Sequence, residues 1–384
     1  MMSRSIFCAG VGPRIQVYSV NNVEFSLELS SEVPLQGSVQ YACQSRKTDI
    51  FYAAVSNGGP RVAGDTHSIV AFEPDAENAT LIAHGRPAPL RSRPVHISID
   101  ANGHHLLVAY HKPAGISVHR LNDDGTVGPE VLQDASLDLG IYPHQILTSP
   151  GNDVVILSSR GNDPTDGRPE DPGALKVFDY DEGRLKSRSS VSPNGGFSFG
   201  PRNIAFHPEK PWVYVALERQ NKLYVFELRD GTLQPEPLFI KETLEDPLRL
   251  FHKQVVGAIG FHPEKNVLYV VNRGGPHNPA EVHIGGENSI AVFRLDPESG
   301  EPQLAQHIQT TGNRPRTFSI NPEHNMMVVG NMQQRLLADG KVVPPGLAVF
   351  EVLPSGLLEF RRRYDVEVGS SSLFWSGFVR ANNA

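Results

Sequence analysis

Gly200–Leu228 reads GPRNIAFHP, EKPWVYVALE, RQNKLYVFEL, three strand-length segments divided by polar turns. NIAF, WVYVAL and LYVFEL alternate apolar and polar positions with period two, and HPEKP between the first two has the composition of a tight turn. This predicts three consecutive antiparallel strands. The same frame recurs as YPHQILTSP with VVILSSR and LKVFDY, as VGAIGFHP with VLYVVNR and IAVFRL, and as RPRTFSINP with MMVVGNM and LAVFEV. RPVHISID with LLVAYH and ISVHRL fits it, and QYACQS with IFYAAVS and IVAFEP is a weaker copy.

A constant internal distance ties the copies together. First-strand anchors at Ala42, Ile97, Ile146, Ile204, Ile259 and Phe318 are each followed fourteen residues later by Ser56, His111, Arg160, Glu218, Arg273 and Met332. The anchors themselves are spaced unevenly, so the variation sits in loops, as in a repeat architecture. A pair of β-sandwiches would give no such constancy. The N-terminal segments SIFCAG and RIQVYSV resemble second and third strands, and SLFWSGFV supplies an inner strand where the next is due. Joining the chain ends in one blade removes exposed sheet edges. The prediction is an all-β, seven-bladed β-propeller over residues 1–384, a single domain with one blade closed by N- and C-terminal strands.

Composition narrows the partners. The 384 residues carry a formal charge of −7 with no lysine- or arginine-rich run, which argues against nucleic-acid or membrane-surface partners. Cys8 and Cys43 are the only cysteines, too few for a disulfide framework and without metal-ligand spacing, so a reducing compartment is expected. With no apolar run of membrane-spanning length, the expected location is cytoplasmic.

The spacing also selects one face. In an antiparallel pair, the start of the first strand and the end of the second share one end of the sheet. Residues two before each anchor (Gln40, Val95, His144, Arg202, Gly257 and Arg316) should therefore meet the positions fourteen after it. One end of the ring would gather His144, Arg160, Arg202, Glu218, Arg273, Arg316 and His111, with the HPEK turns at the other end. Long connections at Asn57–His67, Gly161–Ala174, Gly274–Asn288 and Gln333–Gly346 leave from the same charged end, as binding loops do.

Arg202, Arg273 and Arg316 suit a substrate-binding clamp, since guanidinium stays charged and holds a carboxylate or phosphate through two parallel bonds. Each would alternatively tie blades together through a neighbouring acid. Glu218 among arginines should stay ionised, either activating water or orienting an arginine. His144 is the natural proton-transfer residue, with an ordinary pKa near neutrality. Arg160 falls outside this set because Asp163, Asp166, Glu170 or Asp171 can satisfy it. His277 and His283 share a loop without compact metal spacing, and His207 and His262 belong to turns at the other end. Trp212, Trp375, Phe206, Phe261 and Tyr269 fall on strands and are expected to pack between blades. The catalytic candidates are His144, Glu218, Arg202 and Arg273, with no metal and no cofactor required.

The strings YPHQ, GPRNIAFHP, VNRG and RPRTFSINP, in this order across nearly the whole chain, resemble the seven-bladed propeller lactonase family, which includes 6-phosphogluconolactonases and fungal carboxy-cis,cis-muconate cyclases. For the cyclase branch the resemblance implies a site of histidine, two arginines and glutamate, matching His144, Arg202, Arg273 and Glu218; Arg316 matches a further arginine common in the family. Asn203 stands where lactonase-like members usually have histidine, Leu217 where asparagine is frequent, and Val255–Ala258 where an acid is usual. The resemblance implies metal-independent hydrolysis of a small acidic, sugar-acid type lactone, with a muconate-type lactonising cycloisomerase or a non-catalytic binding propeller as alternatives. Hydrolysis needs a base to activate water, cations for the oxyanion and an acid for the leaving alkoxide. The expected partner is a small anionic lactone or carboxylic acid. Few aromatics in the long loops favour such a partner over a protein surface.

Overall fold

In the computed structural model, which describes residues 4–60, 62–249, 251, 253–276, 278 and 280–381, seven sheets of at least four strands stand around a central channel. The repeat at the head of the sequence becomes one blade, with strands Pro201–Phe206, Trp212–Leu217 and Lys222–Arg229 from the channel outward. Phe239–Glu242 and Thr232–Leu233 both pair with its third strand. The inner strands of successive blades neighbour one another around the ring. Leu373–Ala381 is the inner strand of the closing blade and pairs antiparallel with Arg4–Val11, which leads out to Arg14–Asn21 and Ser26–Pro34.

Position within a blade dictates composition. Second strands such as Trp212–Leu217 and Val154–Ser159 are buried at every residue, because sheets cover both faces, and they read as apolar runs rather than alternations. The core lies between blades: Val154 and Ile156 of one sheet pack with Val213, Val215 and Phe226 of the next. Each such aliphatic side chain, fully buried, contributes roughly 1.5–3 kcal/mol. Trp212 and Tyr269 are packed there. Outer strands such as Leu358–Asp365 are largely exposed and carry Arg361, Arg362 and Arg363, a charged edge that discourages pairing with other chains. Prolines 94, 143 and 201 open inner strands, whose channel side has no strand partner and needs no N–H donor.

Every inner strand carries a bulge near its beginning. One extra residue interrupts the pairing at 40, 95, 144, 202, 316 and 374, and within 257–258 in the remaining blade. A bulge bends the strand and re-aims the side chain it carries. The bulged Val95, His144, Arg202, Arg316 and Phe374 border a wide funnel. The residues immediately following, among them Gln145, Asn203, Thr317 and Trp375, border a second, uncharged chamber deeper in the channel.

Candidate functional site

The funnel has a volume of about 1000 Å³ and is lined by seven arginines, Arg93, Arg160, Arg202, Arg219, Arg273, Arg314 and Arg316, with Lys253, against the carboxylates of Glu218 and Asp163. A protein of net charge −7 thus concentrates positive charge at one end. Residues 57–60 and Val62 of one loop and Asp163–Pro164 of another contribute to its wall, as the length of those connections suggested.

Glu218 sits at the centre of this charge. Its backbone N–H donates to Gly200 O at 2.9 Å, which fixes it at the end of Trp212–Leu217. Oε1 lies 3.2 Å from Arg202 Nε and accepts from Arg273 Nη2 at 2.5 Å, while Oε2 accepts from Arg160 Nε. Burial opposes ionisation, but Arg160, Arg202 and Arg273 outweigh it and hold the carboxyl well below its usual range. With both oxygens committed to guanidinium, Glu218 orients arginines and is a poor base. Arg160 also grips Asp163, at 2.9 and 2.7 Å through Nη2, so it belongs to the constellation from which the sequence reading excluded it. The proposed acidic partner in that loop is real, but it is additional to Glu218.

His144 differs from expectation in its charge. Burial, then the nearby Arg202, pushes its pKa well below 6.5, against the pull of Glu218, so the imidazole is neutral at neutral pH. Its Nδ1 is buried without a hydrogen bond. His111, expected at the same end, stands outside the funnel lining. Its ring stacks on Tyr142 at 3.5 Å, and Tyr142 in turn faces His144 at 5.9 Å. Arg202 donates through Nη1 to Asn203 Oδ1, linking the funnel floor to the chamber below. Arg316 sits over Phe374, its guanidinium carbon 3.6 Å from the ring centre, a cation–π contact that holds the charge without neutralising it.

Gly257 explains how Arg273 reaches in from a second strand. A Cβ there would come within 3.0 Å of Arg273 Nε, so the glycine bulge is vacated for a neighbouring side chain.

Arg93, Tyr142 and Arg314 escaped the sequence reading, which took only two positions of each repeat. They stand four residues before anchors 97, 146 and 318 and immediately precede Pro94, Pro143 and Pro315. Extending the repeat two residues upstream would have found them.

His277 lies outside the described residues. Among the described residues no group of three or more His, Cys, Asp or Glu side chains is arranged to hold a metal ion, and no helix is long and apolar enough to cross a membrane.

The model of the family described as "Lactonase, 7-bladed beta-propeller" matches residues 6–338. The chain belongs to this family. It is 27% identical over 303 residues to a 6-phosphogluconolactonase of Cronobacter sakazakii, covering 78% of this chain and 79% of that one. A 6-phosphogluconolactonase of Bacillus subtilis is 24% identical over 299 residues, 77% of each chain. Among solved structures, a periplasmic gluconolactonase of Pseudomonas aeruginosa superposes with a TM-score of 0.75 at 21% identity, covering 98% of this chain and 99% of that one; that likeness establishes the shared fold.

Proposed function

We propose that this lactonase-family chain hydrolyses a small acidic lactone of the sugar-acid type in the cationic funnel, without a metal ion. The observation that carries the reading is the Glu218 cage, which presents Arg202 and Arg273 in fixed orientation together with a neutral His144 whose Nδ1 makes no hydrogen bond. Charged donors held in advance of reaction stabilise the oxyanion that forms when water adds to the lactone carbonyl. Arg202 and Arg273 fill that role, and Arg316 helps bind the substrate. His144, unprotonated at neutral pH, accepts a proton from the attacking water. The same proton, passed on, protonates the departing ring oxygen and yields the hydroxy acid. Metal independence is supported by the chemistry of the carboxylates: Glu218 and Asp163 are engaged by guanidinium.

The test is hydrolysis of a panel of aldonolactones, with and without a 6-phosphate, before and after treatment with a chelator. Wild type should open an acidic lactone at a rate indifferent to the chelator, and Arg202→Ala and Glu218→Ala should each reduce kcat/KM by about 100-fold or more, as losing oxyanion stabilisation does. Equal rates in wild type and both variants would reject this site.

A further inference from the structure

The funnel's arginines fall into two groups. Arg160, Arg202 and Arg273 share Glu218, and Arg219 and Arg160 share Asp163. Arg93, Arg314 and Arg316 have no carboxylate within ion-pair distance among the described residues. Arg314 is the extreme case. It is only 2% exposed, its Nε has no hydrogen bond, and its one described side-chain bond runs from Nη1 to Gly275 O at 2.8 Å. Burying an unpaired cation is costly.

The surroundings hold it in place nonetheless. Arg314 has φ +53, a left-handed conformation unfavourable for a side-chain-bearing residue. Asn288 Oδ1 fixes it by accepting the Arg314 backbone N–H at 2.7 Å and that of Gly274 at 3.2 Å. Two residues on, the bulge delivers Arg316 to the same funnel. Burial, then the charge of Arg202, lowers Arg316 to about 9; burial is also the largest effect on Arg314, lowered to about 10, where Glu218 opposes it and Arg202 adds to it.

We propose that Arg314, together with Arg316, forms a docking subsite for a permanently anionic substituent of the ligand, separate from the Glu218 cage where the lactone carbonyl reacts. The substrate is then held by two ends, and a neutral lactone leaves the Arg314 end unfilled. The identity of the ligand rests on the lactonase reading, but binding needs no turnover, so the two fail separately.

The experiment is calorimetric titration of wild type, Arg314→Gln and Arg314→Lys. The probes are 6-phosphogluconate, gluconate, which carries only the carboxylate, and glucose 6-phosphate, which carries only the phosphate. Arg120→Gln, an exposed change of equal charge, controls for the general field. Wild type should bind at least one of these, and Arg314→Gln should weaken it about 10- to 100-fold, with partial recovery in Arg314→Lys and little change in Arg120→Gln. Loss with glucose 6-phosphate and not with gluconate assigns the subsite to a phosphate away from the reacting carbonyl, whereas loss with gluconate alone would put the product carboxylate at Arg314 and overturn the separation from the Glu218 cage. Without ligand, Arg314→Gln should melt no lower than wild type, since it removes an unpaired buried charge; a purely structural arginine would lower the melting temperature. No binding to wild type, equal binding to Arg314→Gln, or an equal loss in Arg120→Gln would overturn the proposal. Arg314-dependent binding without lactone turnover would reject the hydrolase reading and leave this one standing.

Discussion

At the scale of the residue, neither His144 nor Glu218 keeps its ordinary pKa, and both are lowered. Glu218 is locked by guanidinium and His144 is kept neutral by burial. If His144 is the base, the acidic limb of kcat/KM lies below pH 6.5, and a pH–rate profile with its limb at or above that value would remove it from the mechanism. Stability follows the same groups. His144, His96 and His111 bind protons less readily in the fold than in the unfolded chain, with His96 lowered to about 3 and His111 to about 4, burial being the main cause. Their contribution is complete above pH 6.5 and falls as the pH drops below it, because the unfolded state then binds more protons. Glu218, also depressed, adds a second loss once the pH falls below about 4.5. Thermal melts should therefore change little between pH 7 and pH 8 and decline on acidification, less steeply in His144→Asn. Legibility at this scale was uneven. His144, Arg202, Glu218 and Arg273 were placed by spacing, because strand pairing converts sequence distance into position. Their charges were not, because burial depends on what the other six blades bring to the funnel.

At the scale of the element, tyrosines of second strands latch the outer hairpin of the next blade. Tyr52 donates to Gly125 O at 2.5 Å, Tyr214 to Gly300 O at 2.8 Å and Tyr269 to Gly356 O at 2.8 Å. Gly300 must be glycine: φ is +74, and a Cβ would lie 2.5 Å from the Trp212 ring. Tyr214→Phe leaves a buried carbonyl without its donor and should cost about 1–3 kcal/mol, measurable as a reduced denaturation midpoint with activity preserved. Alternation and turn composition revealed the strands, including the atypical pair at the N-terminus. The bulges left no such trace, since an extra residue in a strand changes pairing register without changing local hydrophobic pattern.

At the scale of the whole molecule, the closing blade decides whether the ring exists. Leu373–Ala381 runs paired with Arg4–Val11 and borders the inner strands on both sides. Ending the chain at Ser372 would leave the inner edge of Arg4–Val11 unpaired and uncover the inner strands on either side, and unpaired edges invite association. The truncated chain should elute as aggregate in size-exclusion chromatography, with loss of the cooperative thermal transition; a well-behaved species of native size would contradict the closure argument. The seven-fold count was legible because six internal copies define the period and the two chain ends complete it. Specificity was less so, since a fold of this kind supports many chemistries.

The bulges have a consequence for how such a protein changes over evolutionary time. Each inner strand offers one re-aimed position, here filled by Gln40, Val95, His144, Arg202, Gly257, Arg316 and Phe374, and the five of these that border the funnel, Val95, His144, Arg202, Arg316 and Phe374, behave as letters carried by a scaffold that hardly senses them. The cores that stabilise the ring lie between sheets, away from these places. A new ligand preference is thus within reach of one or two substitutions, and lineages sharing the ring can diverge in chemistry while their architecture stays still.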